Sequence, residues 1–446
     1  MLRQVLQIGS RRSYSYKSVR RPNASAVSGA RNQELQLEQK PASEPQAKGH
    51  DKISLSKQLR ARILATGPIT VAEYMREVLT NPQGGYYMSR DVFGREGDFI
   101  TSPEISQIFG ELVGVWLLNE WRKMGSPTPF QLVELGPGRG TLARDVLKVL
   151  TKFKLGAEFT MHMVEVSPYL SVAQAQRFCY KHETLPENSQ LPHYQFGTTA
   201  TGIKAYWHRQ LEDVPPGFSL VLAHEFFDAL PVHKLQLVND LWQEVLIDVA
   251  DVQESQSASQ SQIPEFRYVM SKAQTPVSRL FKPVPQETRA CLEYSLEAER
   301  HVDMLAKRLE QHGGIGLIMD YGHFGDKTDT FRGFKQHALH EPLLEPGTAD
   351  LTADVDFRHI KHVAETNGHI HCCGPVQQGD FLERMQGSVR LEQLLAHALP
   401  ENQDIIRSGY EVLTDAKQMG ARFKFLAMFP AVLAAHLEKY PVAGFS

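Results

Sequence analysis

The sequence predicts an α/β protein: an open, largely parallel sheet with helices on its faces, a helical N-terminal cap, and β-ribbon and helical insertions. Three stretches predict it. Gln131-Leu-Val-Glu134-Leu-Gly136-Pro-Gly138-Arg-Gly140-Thr-Leu142 runs apolar, then acidic, then glycine at alternate positions, which reads as a buried strand, a tight turn and a helix start. Ser219-Leu-Val-Leu-Ala223 is a second buried strand, followed at once by His224-Glu225-Phe226-Phe227-Asp228. Phe423 to Phe429 reads as the last strand.

The amino end differs in composition from the rest of the chain. Residues 1–33 hold Arg3, Arg11, Arg12, Lys17, Arg20, Arg21 and Arg31, are rich in Ser, and contain no acid before Glu34. With no long apolar core, that is the composition of a mitochondrial targeting peptide. Arg12-Ser13-Tyr14-Ser15 resembles a matrix-peptidase site, with cleavage after Tyr14. A disordered basic tail is the plainer alternative.

The chain has 48 Lys and Arg against 51 Asp and Glu. Without the basic amino end the remainder stands at roughly −10, a balance that argues against phosphate backbones and so against nucleic acid as a substrate. A polar linker is expected over 34–57, a helical cap over 58–125, and one Rossmann-like domain over 126–435 with an insertion at about 233–312; residues 436–446 read as a tail. No run is long and apolar enough for a transmembrane segment; the nearest, Phe425 to Leu437, contains Pro430 and His436. The four cysteines are too few for a disulfide framework. His371-Cys372-Cys373 sits in a strand pattern that sends neighbours to opposite faces, so no metal is expected.

In chain order, Leu55 to Leu64 has a helical period stopped by Thr66-Gly67-Pro68, and Ile69 to Leu79 reads as a second helix ended by Asn81-Pro82. Gln83-Gly84-Gly85-Tyr86-Tyr87 is a turn. Gly97-Asp98-Phe99-Ile100-Thr101-Ser102-Pro103-Glu104 leads into an amphipathic helix from Ile105 to Trp121, for which Thr101 or Ser102 is the expected cap. Capping leaves Asp98 unexplained, and it is a candidate ligand contact.

The glycine turn at the carboxyl edge of such a sheet is where a nucleotide-type cofactor binds, because glycines admit a ligand to the backbone and a helix start offers free N–H groups. A dinucleotide fingerprint is G-x-G-x-x-G; here the third glycine, Gly140, comes one residue early, which tells against a nicotinamide oxidoreductase. Glu134 beside the turn repels a pyrophosphate but suits a cation. S-adenosylmethionine carries an ammonium and a sulfonium and no phosphate. The stretch therefore resembles motif I of the class I methyltransferases, with Glu134, Gly136, Gly138 and Gly140 as cofactor contacts.

Phe159 to Val166 makes the next strand, with Glu165 at its tip, where a carboxylate can accept from both hydroxyls of a ribose. A cap of the helix starting at Ser167-Pro168 is the alternative. Glu225 and Asp228 leave the strand beginning at Ser219 on that same edge, so two carboxylates meet the transferable methyl; two unpaired buried acids would otherwise cost several kcal/mol. Downstream, His233 to Val249 and Glu265 to Met270 read as a β-ribbon, Glu287 to Gln311 as a long helix, and Gly316 to Tyr321 as a buried strand. Gly325 to Asp350 reads as a loop across the site, and Leu351 to Phe357 as a helix opening with Thr352 as cap.

The stretches Gly97 to Glu111, Glu134 to Gly140, His224 to Pro231, Asp320 to Gly322, Thr330-Phe331-Arg332-Gly333 and Gly347-Thr-Ala-Asp350-Leu-Thr-Ala-Asp354-Val-Asp356-Phe357 resemble, in order, the signatures of the MidA family of mitochondrial and bacterial methyltransferase-like proteins. The resemblance covers roughly residues 55–435. It implies S-adenosyl-L-methionine as cofactor, with Asp98 and Ser102 beside the glycine turn, and a mitochondrial matrix enzyme. That enzyme would symmetrically dimethylate, as a type II protein arginine methyltransferase, an arginine of the 49-kDa subunit of respiratory complex I during assembly of the complex. Glu225 would clamp the guanidinium with support from Asp228. Family members carry Asn where this chain has His224, which puts any role for that position in doubt. A non-catalytic assembly chaperone on the same fold is the rival reading. A homodimer is left open.

Overall fold

The computed structural model describes residues 54–88, 100–155, 158–250, 264–366 and 368–446. The expected targeting peptide and most of the linker, together with Asp98, lie outside them. Helices α1 (Leu55–Thr66) and α2 (Val71–Thr80) flank the short strand β1 (Ile69–Thr70). Thr70 and Glu73 form a reciprocal capping box, so the helix starts two residues later than its apolar period suggests. Leu55, Leu59 and Ile63 make the buried stripe of α1.

The next segment is two helices: α3 (Ser102–Ile105) and α4 (Gln107–Lys123). Ser106, not Ser102 or Thr101, is the side-chain cap of the long helix; its hydroxyl accepts from the Ile108 N–H. That overturns the capping account of Ser102, whose side chain is fully buried with an unpartnered hydroxyl.

Next come β2 (Phe130–Leu135), α5 (Thr141–Lys152), β3 (Phe159–Val164), α6 (Pro168–Phe178), β4 (Cys179–Thr184), β5 (Gln195–Thr199), β6 (Lys204–His208) and β7 (Ser219–His224). Strands β8 (His233–Val238), β9 (Leu241–Val249), β10 (Phe266–Met270) and β11 (Cys291–Tyr294) belong to a separate antiparallel sheet that β1 joins through β9. The expected helix from Glu287 is therefore shorter: β11 pairs with β8, and α7 (Leu296–His312) starts only after Ser295, whose hydroxyl accepts from Ala298 N–H.

Strand β12 (Gly314–His323) returns to the main sheet. The expected loop across 325–350 is instead a small sheet of β13 (Arg332–Lys335), β14 (Ala338–His340) and β15 (Asp350–Thr352). Then β16 (Val355–Asp356), α8 (Phe357–Glu365), β17 (Ile370–Gln377) and β18 (Phe423–Pro430) complete the order, with further helices between the last two strands. The cap of α8 is Asp356, which accepts from His359 N–H; Thr352 lies in a strand.

The main sheet runs β17-β18-β12-β7-β2-β3-β6-β5-β4. Its centre, β12-β7-β2-β3-β6, is parallel, and β18 is antiparallel to β12 as expected of the last strand. Central strands covered on both faces must be apolar throughout, which is why every residue of β7 is buried and β2 shows only Gln131 partly exposed. The N-terminal helices pack through Tyr74, Met75 and Val78 in one cluster with Ile247, Phe266, Phe331 and Leu351, so α1 and α2 sit between the second sheet and the small one. The C-terminal segment is tied down where Trp116 Nε1 donates to Ala443 O at 2.8 Å. Among the described residues no helix is long and apolar enough to cross a membrane.

Candidate active site

Four parallel strands end on one edge, and each delivers an acid there: Glu134 on β2, Glu165 after β3, Glu225 and Asp228 after β7, and Asp320 near the end of β12. That edge is the ligand edge of an open α/β sheet.

The turn after β2 requires its glycines. Gly136, Gly138 and Gly140 have φ of 59°, 52° and 72°, a region closed to most side chains. A Cβ on Gly136 would stand 2.8 Å from the Phe226 ring, so the turn is packed against the loop that leaves β7. Glu134 is buried; it accepts a hydrogen bond from the Ala143 N–H, while its Oε2 has no partner, and burial pushes its carboxyl up to about 8.

Glu165 Oε1 accepts from Ser167 N at 2.8 Å and Oε2 from Gln174 Nε2 at 3.0 Å. The cap of α6 is Ser167, which accepts from Leu170 N–H, so Glu165 does not cap that helix. Burial pushes Glu165 up to about 7, against those hydrogen bonds. Gln174 belongs to no motif in the sequence. Its Nε2 also donates to Gly138 O at 2.6 Å and its Oε1 accepts from Trp207 Nε1 at 2.8 Å, which locks the glycine turn to Glu165. The one signal that could have found it is its position: Gln174 lies between Leu170 and Phe178 on the buried stripe of α6, where an apolar residue belongs.

Across the edge, Glu225 has φ 49°, unfavourable for a glutamate and imposed by its surroundings. The imposing group is Asp320. Its Oδ2 accepts from the N–H groups of Phe226, Phe227 and Asp228 at 3.1, 3.0 and 3.3 Å, and its Oδ1 from Tyr321 N at 2.9 Å. Asp320→Ala leaves those donors unpaired and is expected to cost on the order of 3 kcal/mol of folding stability, measured by denaturant unfolding.

Glu225 Oε1 accepts from Ser102 N at 3.3 Å and lies 3.2 Å from His224 Nε2. Burial, and then the charge of Asp228, pushes Glu225 up to about 8. Burial pushes His224 down to about 3, so its ring is neutral and the contact is not an ion pair. Asp228 is buried with Oδ1 unpartnered; burial raises it to about 6, opposed by a hydrogen bond from Tyr321 and the charge of Arg332. The Arg332 guanidinium lies 5.2 Å from the centre of the Tyr321 ring; the sequence places Tyr321 at the carboxyl edge and Arg332 in the segment crossing the site, but not their contact, because they come from separate strands. Ser102 thus stands beside Glu225, while its neighbour Glu104 reaches Arg139 of the glycine turn at 3.5 Å. Among the described residues no group of three or more His, Cys, Asp or Glu could hold a metal ion.

Residues 112–376 match the family described as "Putative S-adenosyl-L-methionine-dependent methyltransferase". The chain belongs to this family. Its cofactor is S-adenosyl-L-methionine, and the resemblance to the MidA proteins is borne out. The chain is similar to "Protein arginine methyltransferase NDUFAF7 homolog, mitochondrial" of Drosophila melanogaster, 75% identical over 446 residues and 100% of both chains. "Protein arginine methyltransferase NDUFAF7, mitochondrial" of Homo sapiens is 47% identical over 378 residues, 83% of this chain and 82% of that one. Among solved structures, a COG1565 superfamily member from Burkholderia thailandensis with S-adenosyl-homocysteine bound superposes with a TM-score of 0.66 at 21% identity, over 85% of this chain and 92% of that chain. The fold is the class I methyltransferase fold expected from the glycine turn.

Proposed function

We propose that this methyltransferase acts in the mitochondrial matrix on protein arginine, and that by the MidA resemblance its substrate is an arginine of the 49-kDa subunit of respiratory complex I, dimethylated symmetrically in the course of complex I assembly. The observation that carries the reading is the acid pair of half-buried Glu225 and buried Asp228, with Asp228 Oδ1 unpartnered, on the edge that holds the glycine turn. An acid pair left like this is costly unless a cation completes it, and a guanidinium is planar, permanently charged and bidentate. The relatives' names support arginine and mitochondria, and the acid-free basic stretch of residues 1–33 supports import.

The residues suit the cofactor. Glu134 offers an unpartnered buried oxygen to a cation, Gly136, Gly138 and Gly140 leave the turn without side chains, and Glu165 keeps lone pairs for hydroxyl groups beyond its two hydrogen bonds. Of the other two expected contacts, Ser102 has a buried, unpartnered hydroxyl and Asp98 lies outside the described residues. When bound, S-adenosylmethionine supplies a methyl group on a positively charged sulfonium. Glu225 holds the guanidinium by paired N–H bonds, which aligns it and localises its charge, and Asp228 takes the proton lost on transfer.

That division has a pH consequence. Both acids must be ionised, and both are raised in the free protein, Asp228 to about 6 and Glu225 to about 8. Because kcat/KM reports the free enzyme, it is expected to rise with pH between about 6 and about 8, measured as methyl transfer in a buffer series. A flat profile across that window removes the acids from the chemistry. The function itself is tested by incubating the protein with methyl-labelled S-adenosylmethionine and mitochondrial extract from cells lacking it. Label recovered on an arginine of the 49-kDa subunit is the expected result; label on another residue type, or none, overturns it.

A further inference from the structure

The turn between α2 and the segment leading to α3 does more than connect them. Tyr86 N and Tyr87 N donate to Val78 O and Leu79 O at 2.8 and 3.1 Å, which folds the turn back on the end of α2. Tyr86 is buried against Tyr87, with ring centres 5.2 Å apart. From this platform Tyr87 reaches both halves of the site. Its carbonyl accepts from Ser167 Oγ at 2.7 Å, two residues from Glu165. Its hydroxyl donates to Asp350 Oδ1 at 2.7 Å.

Asp350 is buried at the start of β15. The chain just beyond it docks on the acceptor loop, where Ala353 N donates to Asp228 O at 3.0 Å. The chain just before it is equally constrained, since a Cβ on Gly347 would run into the carbonyl oxygen of Gly84 in the same turn. Asp350 is near enough to Glu225 and Tyr321 for its charge to raise both. Through that docking Asp350 joins Glu225, Asp228 and Asp320 as a further acid on this side of the site.

Resting on the arginine reading above, we infer that Asp350 is a further wall of the guanidinium pocket and that Tyr87 is its positioning residue, fixed in turn by Ser167 from the cofactor side. A hydroxyl donating to one carboxylate oxygen fixes the plane of that carboxylate, and a guanidinium is selective for carboxylate planes because its N–H groups form a rigid fork.

Tyr87→Phe removes one oxygen and keeps the ring in its packing. Its S-adenosylmethionine affinity by calorimetry is expected to match the unsubstituted chain, while its melting temperature falls slightly for the lost hydrogen bond to buried Asp350. With labelled S-adenosylmethionine and mitochondrial extract from cells lacking the protein, its apparent KM in extract concentration is expected to rise about tenfold with kcat changed less than threefold. Asp350→Asn is expected to move the same KM in the same direction. An unsubstituted chain that labels no arginine takes down the arginine reading. Arginine labelling with an unchanged KM in Tyr87→Phe overturns the inference alone, as does a loss shared equally by cofactor affinity and KM, which is the signature of a merely structural hydroxyl.

Discussion

Glu225→Gln is expected to bind S-adenosylmethionine as the unsubstituted chain does and to transfer methyl roughly 10²- to 10³-fold more slowly, the usual loss when one preorganised electrostatic contact to the reacting group is removed. The substitution keeps the shape and turns a charge acceptor into an amide. Position 225 is held by the backbone: the N–H groups of residues 226–228 stay on Asp320, so φ remains in its strained region whatever the side chain. The bond from Ser102 N survives if the amide oxygen takes the place of Oε1. The amide then turns its NH2 towards the guanidinium, donor against donor. Burial already disfavours the charged form of Glu225, so Gln also relieves a cost in the free protein, and the variant should fold at least as stably. Single-turnover transfer of label from S-adenosylmethionine, set beside calorimetric binding, separates the two effects. Wild-type transfer with intact cofactor binding would remove Glu225 from the clamp.

The parts of this site that are legible in sequence are those made by residues close together in the chain. Gln131 to Leu142 reads correctly because an apolar strand, three glycines and a helix start fall in twelve positions, and the structure places each in its expected state. The acids after β7 are legible from the strand that delivers them. What is not legible depends on partners far along the chain. Asp320 can be assigned to a carboxyl edge, but the three N–H donors to its Oδ2 lie 92 to 94 residues away. Tyr87 and Asp350 are 263 residues apart.

Other failures are local and have local causes. The hairpin of β13 and β14 turns through Gln336 and His337 at φ 52° and 61°, with Lys335 opposite Ala338. That is a two-residue turn with both central residues in the left-handed region, normally announced by Asn-Gly or Asp-Gly, and with neither present the segment reads as a loop. The helix expected from Glu287 begins late because Leu292 and Tyr294 alternate into the core of the second sheet, a period of two hidden within four residues ahead of a Ser cap. Ser102 reads in sequence as a cap of the nearest helix start, whereas the helix bends at Ser106 and frees Ser102 to face Glu225.

Gly138→Val tests the other half of the site and is expected to weaken S-adenosylmethionine binding by more than a hundredfold while the protein still folds. At φ 52° a β-branched residue is strained by about 1–2 kcal/mol before any ligand is considered. The turn has little freedom to relieve that strain. Gln174 holds Gly138 O at 2.6 Å, and the same amide group is bonded to Glu165, so a backbone shift at 138 pulls on Glu165. Gly140 is equally confined, because a Cβ there would already sit 3.1 Å from the Phe178 ring. The added isopropyl group is expected to take space a nucleoside needs beside the backbone at this edge. Calorimetric titration with S-adenosylmethionine reads the affinity, and far-ultraviolet circular dichroism with a melting curve reads the fold. A variant with the wild-type dissociation constant would mean that the cofactor does not lie against this turn, and the acids of Glu134 and Glu165 would then need another occupant.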